Sequence, residues 1–246
     1  MYQVIEEKNE VLKKYRRKSA DLAKWLQQSD LWYWIYSYYQ IKGAPMRRRD
    51  IVDILDGKIV ESAPMDAYNF ITGCNQLQKD MQSCIEMQSL PDLRLLERWS
   101  AMVFGEVPAL RTTNPIVYEW EHIPIHFNEL PEELEKLFRK AHSGRLQGNA
   151  LERSAWLHLE FLRLYPYGED TAKTGFLLLM YGLMQAGLPL PQLNLSDREY
   201  NSLVADYLNG GELRPFCDML ERALVNRLEA ALQFCYQIPI NDDEDI

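Results

Sequence analysis

The chain has no paired cysteine motif. Its four cysteines, Cys74, Cys84, Cys217 and Cys235, form no CxxC, and none stands at zinc-ligand spacing from the four histidines. That excludes a zinc ribbon or finger and leaves reduced, partly buried thiols, as in a cytoplasmic protein. Glycine and proline number 12 each in 246 residues, too few for a sandwich of many short strands. Long apolar runs are missing too. The strongest, Phe176 to Leu183, falls far below the ~20 residues that a bilayer-spanning helix needs, so no membrane contact is expected. The opening stretch, MYQVIEEKNEVLKKYRRK, is charged throughout and does not read as a signal peptide. No GxSxG, HExxH or Walker loop is present.

What is there is an apolar share of 47%, enough for a real core, and an uneven charge. Residues 1–50 carry 11 Lys/Arg against 6 Asp/Glu, and the rest carry 16 against 30, giving +5 and −14 for the net of −9. An acidic body argues against a nucleic-acid-binding core. The basic N-terminal stretch, ending in Arg47, Arg48 and Arg49, reads as a solvated face, with phosphate contact as the alternative.

The pattern along the chain is helical. Residues 3–28 read as a charged helix and the aromatic-rich 29–41 as a packed one, broken at Gly43-Ala44-Pro45. Helices follow over 47–56, from Pro64 to about 88, and from about Asp92 to Phe104. Residues 109–127, with Pro115, Ile116, Val117, Tyr118, Trp120, Ile123 and Ile125, change to β-branched, aromatic and turn-forming types, which predicts a small β-hairpin flap. Helices resume from Pro131 to about 143 and from Asn149 to Leu164. A proline-containing loop, Tyr165 to Asp170, then leads into Thr174–Ala186, apolar nearly all round and therefore buried. A capping-box pattern at Ser196–Glu199 opens another helix, and a last one covers 213–236. The organisation expected is an N-terminal helical region over 1–60, a core over 61–236 and an acidic tail over 237–246.

The helix–loop–buried helix at 149–187 carries a resemblance. The loop reads YPYGEDTAKTGF, and it is similar to the Fic-family signature HPFx[D/E]GNGRxxR. Tyr165 stands at the family's histidine, Pro166-Tyr167 at Pro-Phe, and Glu169 at the acidic position. Asp170, Thr171, Ala172 and Lys173 stand at Gly-Asn-Gly-Arg, and Phe176 at the second arginine. The surroundings resemble the family as well. Gly105 and Arg111-Thr112-Thr113-Asn114 precede the motif. After it come Asp197-Arg198-Glu199-Tyr200, Gly211-Glu212-Leu213 and Pro215-Phe216. Lys42-Gly43 falls where many members carry an inhibitory Glu-Gly, and Val117, Tyr118, Trp120, His122 and Ile123 fall on the target-docking flap. The resemblance implies the all-α Fic (Fido) fold with one small hairpin flap. It also implies transfer of AMP from ATP, with Mg2+, to a protein hydroxyl.

The replacements strike at that chemistry. The motif histidine is the base that takes the hydroxyl proton, and at its ordinary pKa of ~6.5 it is mostly free at neutral pH. Tyrosine, at ~10, is only ~0.1% phenolate. The Gly-Asn-Gly turn offers backbone amides to phosphates. Asp170 puts a carboxylate there, whose repulsion of a phosphate ~4 Å away runs from ~1 kcal/mol in water to ~4 at a surface-like dielectric. Glu169 with Asp170 could hold a magnesium ion instead. Lys173 keeps the charge of arginine without its bidentate grip, and Phe176 removes the second charge. Two readings therefore stand. One is a catalytically impaired Fic-like protein that acts by binding or regulating a protein partner. The other is an active nucleotidyl- or phosphoryl-transferase of altered chemistry that uses Glu169, Asp170 and Lys173.

Overall fold

A computed structural model describes residues 1–237, and within them the chain forms ten α-helices and three 3-10 turns. The acidic tail lies, from residue 238 on, outside the described residues. The helices are α1 (Tyr2–Lys18), α2 (Ala20–Ile41), α3 (Arg48–Leu55), α4 (Met65–Glu86), α5 (Leu93–Phe104), α6 (Leu130–His142), α7 (Ala150–Leu164), α8 (Thr171–Gln185), α9 (Asp197–Leu208) and α10 (Arg214–Gln237).

Most boundaries follow local chemistry. Pro64 precedes α4, the Asp92 carboxylate accepts from Leu95 N at the start of α5, and Gly105 ends that helix at φ 76. Asn149–Glu152 and Ser196–Glu199 form reciprocal capping boxes on α7 and α9. The N-terminal boundary differs from expectation. The first break falls at Ser19, not at 28, and a single helix then runs on to Ile41. Ser19 is extended, and its hydroxyl accepts from Leu22 N at 3.2 Å. A lone serine inside helix-compatible apolar spacing is a quiet signal, and its capping bond decides the boundary. Helix α8 also starts earlier than expected, at Thr171.

The hairpin flap is not formed. Residues 117–122 make one isolated antiparallel bridge, with Val117 N donating to His122 O at 2.9 Å and His122 N to Val117 O at 3.1 Å, around a 3-10 turn over Tyr118–Trp120. The next hydrogen-bonded pair along such a ladder would be Pro115 with Pro124. Neither proline has an N–H, so the ladder ends after one rung.

Helix α8 is central. It buries Phe176 through Tyr181 continuously and packs along α7, with α4 and α5 on its other sides. Glycines permit the close α7–α8 approach: a Cβ at Gly182 would lie 2.6 Å from Ser154 Oγ, and one at Gly175 would lie 2.8 Å from Leu162 Cδ2. Helix α1 packs on α10, and the buried Asp30 of α2 ties them through Arg16 at 3.1 Å and Arg227 at 2.6 Å. Among the described residues no helix is long and apolar enough to cross a membrane.

Candidate functional site

The loop between α7 and α8 is built as a hairpin of backbone over an arginine. Tyr165 terminates α7 in the left-handed region at φ 50 and ψ 52. That turn swings its carbonyl back toward Arg111, whose Nε donates to Tyr165 O at 2.9 Å. The rest of the guanidinium serves carbonyls as well: Thr113 O at 2.7 Å, Ile125 O at 2.5 Å and Leu164 O at 3.4 Å. The Arg111 backbone N donates to Pro166 O at 2.8 Å. One buried cation thus fastens the 111–114 stretch, the flap and the motif loop together. Burial lowers its pKa, and the neighbouring Tyr165 opposes that shift.

Above this anchor the Tyr165 ring is buried and meets the Trp120 ring edge-on, with centroids 5.7 Å apart at 89°. Trp120 is itself buried, and its Nε1 donates to Asn201 Oδ1 on α9 at 2.9 Å. Asn209 Nδ2 donates to Trp120 O at 3.0 Å, and His122 Nε2 to Arg163 O at 2.8 Å. The flap is therefore pinned on both α7 and α9. Of the five expected flap residues, Val117 and Trp120 face inward, whereas Tyr118 and Ile123 are exposed at 79% and 72%.

The Tyr165 hydroxyl is held protonated. Burial raises its pKa first, the carboxylates of Glu119 and Glu169 raise it further, and Arg111 only partly opposes them. Burial and the two carboxylates act together against a phenolate.

The turn that follows keeps a glycine at Gly168, φ 59, and then closes into a 3-10 turn over Gly168–Asp170. Tyr167 N donates to Thr171 Oγ1 at 2.9 Å, so the threonine hydroxyl occupies an amide that an anion would otherwise address. Asp170 Oδ1 lies 2.7 Å from Lys173 Nζ, and Glu106 Oε1 lies 2.9 Å from the same ammonium. Burial works against the Lys173 charge, but its bonds to Asp170 and Glu106 outweigh it and raise the pKa. Its ammonium also sits 4.7 Å over the Phe104 ring. Ala172 is half-buried beside it and offers no polar group. Phe176 stacks on Trp34 with centroids 4.0 Å apart, and Tyr38 closes the same cluster at 5.8 Å.

This arrangement does not fit a magnesium nucleotide. Lys173 is already saturated by two carboxylates, and aromatic carbon fills the place of the second cation. Glu169 is exposed, and Asp170 is turned to Lys173. Among the described residues no three His, Cys, Asp or Glu side chains are placed to hold a metal. At the other expected locus, Gly43 adopts φ 68, and Lys42 caps α2 with its ammonium 5.8 Å over the Tyr38 ring.

Sequence reasoning overlooked three partners here: Glu106, Asn201 and the buried pair His158–Tyr200. His158 Nδ1 donates to Gly175 O at 2.8 Å, and Tyr200 Oη donates to His158 Nε2 at 2.7 Å, joining α7, α8 and α9. Their separations of 67, 81 and 42 residues leave no local trace.

Comparisons with known proteins agree with this architecture. No family model matches the chain. Among curated proteins, the chain is similar to the protein adenylyltransferase Fic of Culex quinquefasciatus. The two are 25% identical over 231 residues, covering 86% of this chain and 44% of that protein. It is also similar to the protein adenylyltransferase Fic of Drosophila persimilis, 24% identical over 220 residues, with 84% and 42% covered. The chain spans less than half the length of these relatives. Among solved structures, a Fic domain containing signaling protein from Bacteroides thetaiotaomicron superposes with a TM-score of 0.77 at 16% identity, over 97% of this chain and all of that one. Fic-1 from C. elegans, residues 134–508, gives 0.74 at 16% identity over 96% and 74%. The chain thus shares the fold of Fic domain proteins, and across most of its own length its sequence is similar to Fic protein adenylyltransferases.

Proposed function

We propose that this protein has kept the Fic fold, has given up nucleotide transfer and works by binding a protein partner. One observation carries the reading: the group at the position of the family's base is a buried tyrosine whose hydroxyl is held protonated by burial and by Glu119 and Glu169. General-base catalysis needs a proton acceptor that is free near neutral pH, and Tyr165 is pushed away from that condition. The surrounding losses point the same way. Lys173 is engaged by Asp170 and Glu106, and Phe176 is stacked into the core.

The partner surface is the flap. Tyr118 and Ile123, with Ile116 beside them, project apolar area from a segment that Arg111, Asn201 and Arg163 hold rigid. A rigid, apolar, partly aromatic projection is the kind of surface that supplies binding energy at low entropic cost. The four cysteines are all buried and unpaired, which suits the cytoplasm.

The test is a magnesium-dependent titration with ATP, GTP and CTP to millimolar concentration, together with labelled transfer to the protein itself and to cell extract. The expected result is no transfer and no difference between the parent and Glu169→Ala. Labelled transfer that Glu169→Ala abolishes would refute the proposal and establish an active transferase.

A further inference from the structure

A cleft of about 520 Å3 opens between α1, α2, α4 and the chain that leaves α8. None of its lining residues belongs to the motif loop or the flap. We propose that this cleft binds a small organic monocarboxylate with an apolar body, held by Arg16.

The charges come first. Arg16 of α1 and Asp30 of α2 both line the cleft. Asp30 is buried, and both of its oxygens are engaged: Oδ1 accepts from Arg227 Nε at 2.9 Å, and Oδ2 accepts from Arg16 Nη2 at 3.1 Å. Neither arginine meets another carboxylate among the described residues. Two guanidiniums therefore share one carboxylate, and one positive charge is left over. Arg227 is buried and takes no part in the cleft wall, so Arg16 is the group that presents the surplus.

The hydrogen bonding of Arg16 is incomplete in the same way. Its Nε is buried and has no partner, and its Nη1 meets none among the described residues. Buried polar groups are nearly always matched, and a charge drawn out of water is costly unless it is paired. The planar fork of a guanidinium is shaped to take a carboxylate. A single surplus charge matches a monoanion, whereas a phosphate monoester brings about −1.5 to −2 at neutral pH. The rest of the cleft suits an apolar body. Buried Leu188 and Leu190, with the partly buried Ile85 and Met184, supply carbon surface. Gln78 lines the cleft while nine-tenths buried, and its Nε2 donates to Gln27 O at 3.1 Å, which ties α4 to α2 beside the cavity. The volume falls within the range of small-molecule sites.

The experiment uses the intact protein and three probes: hexanoate, the neutral hexanamide, and acetate. Binding is followed by calorimetry, and thermal denaturation reports whether each variant is folded. Hexanoate is expected to bind saturably. Hexanamide lacks the charge and acetate lacks the apolar body, so each is expected to bind at least about ten-fold more weakly. Arg16→Gln removes the surplus cation and leaves Asp30 paired with Arg227. It is expected to weaken hexanoate binding about ten-fold, the loss of one hydrogen bond to a charged group. Ala23→Met leaves every charge in place and adds bulk to the cleft wall, and it is expected to weaken hexanoate to the level of acetate. It keeps the test open should Arg16→Gln fail to fold. No saturable binding of hexanoate to the parent protein overturns the proposal. So does hexanamide binding as tightly as hexanoate, or hexanoate affinity unchanged in either variant that folds.

Discussion

Tyr167 and Phe176 show how single replacements have been absorbed differently. Tyr167 carries a hydroxyl that is buried and has no partner among the described residues, at a position where the family motif has phenylalanine. An unsatisfied buried hydroxyl is a net liability. Tyr167→Phe is therefore expected to stabilise the protein by about 1 kcal/mol in urea titration with an unchanged slope. A destabilisation would show that the hydroxyl has a partner in solution. Phe176 is the opposite case. Its ring is stacked on Trp34 and lies among Tyr38, so the cation it replaced has no room and no counter-charge. Phe176→Arg, alone or with Tyr165→His, is expected to restore no AMP transfer and to cost about 3 kcal/mol, the order for an uncompensated buried charge. Thermal denaturation and a labelled-transfer assay check both halves. The residue identities of this site were legible in the sequence. Their partners were not, because Trp34 and Asn201 reach it from other helices and Glu106 from the turn after α5.

At the scale of elements, the flap is the instructive segment. Its composition predicts strands, yet it forms one bridge, because the next hydrogen-bonding rung would pair Pro115 with Pro124 and neither has an N–H. With no ladder to hold it, the segment depends on side chains: Arg111 holds its far end through Ile125 O, and Asn201, Asn209 and the Arg163 carbonyl hold Trp120 and His122. Arg111→Met keeps the length and removes the donors. It is expected to cost about 3 kcal/mol and to speed hydrogen exchange of the flap amides far more than those of α8. Equal acceleration in both regions would mean that the arginine supports the whole core and does not act as a local clasp. The helices, by contrast, were legible nearly to their ends, since prolines, glycines and capping boxes mark them locally. Ser19 is the exception, a cap without a box.

For the whole molecule, the buried junction of His158 with Gly175 and Tyr200 predicts a pH dependence. Burial lowers the His158 pKa to about 4, from an ordinary 6.5, with the Gly175 carbonyl partly opposing. The unfolded chain takes up a proton below about pH 6.5, while the folded one resists until about 4. Stability is accordingly full above that window and lost as pH falls through it, by about 3 kcal/mol at 1.36 kcal/mol per unit. Urea titrations at stepped pH check this, and the drop is expected to flatten in His158→Gln.

The sequence by itself determined the helical class, nearly every helix end, the centrality of α8 and the degradation of the motif from Tyr165 to Phe176, because propensity, capping and spacing act over a few residues. Only the tertiary structure decided that Trp120 and Arg111 lock the flap onto that motif, that Lys173 is consumed by Asp170 and Glu106, and that Arg16 and Arg227 share the one carboxylate of Asp30. Those facts are pairings between residues far apart in the chain, and side-chain hydrogen bonds and stacking leave no period or composition by which one sequence could announce them.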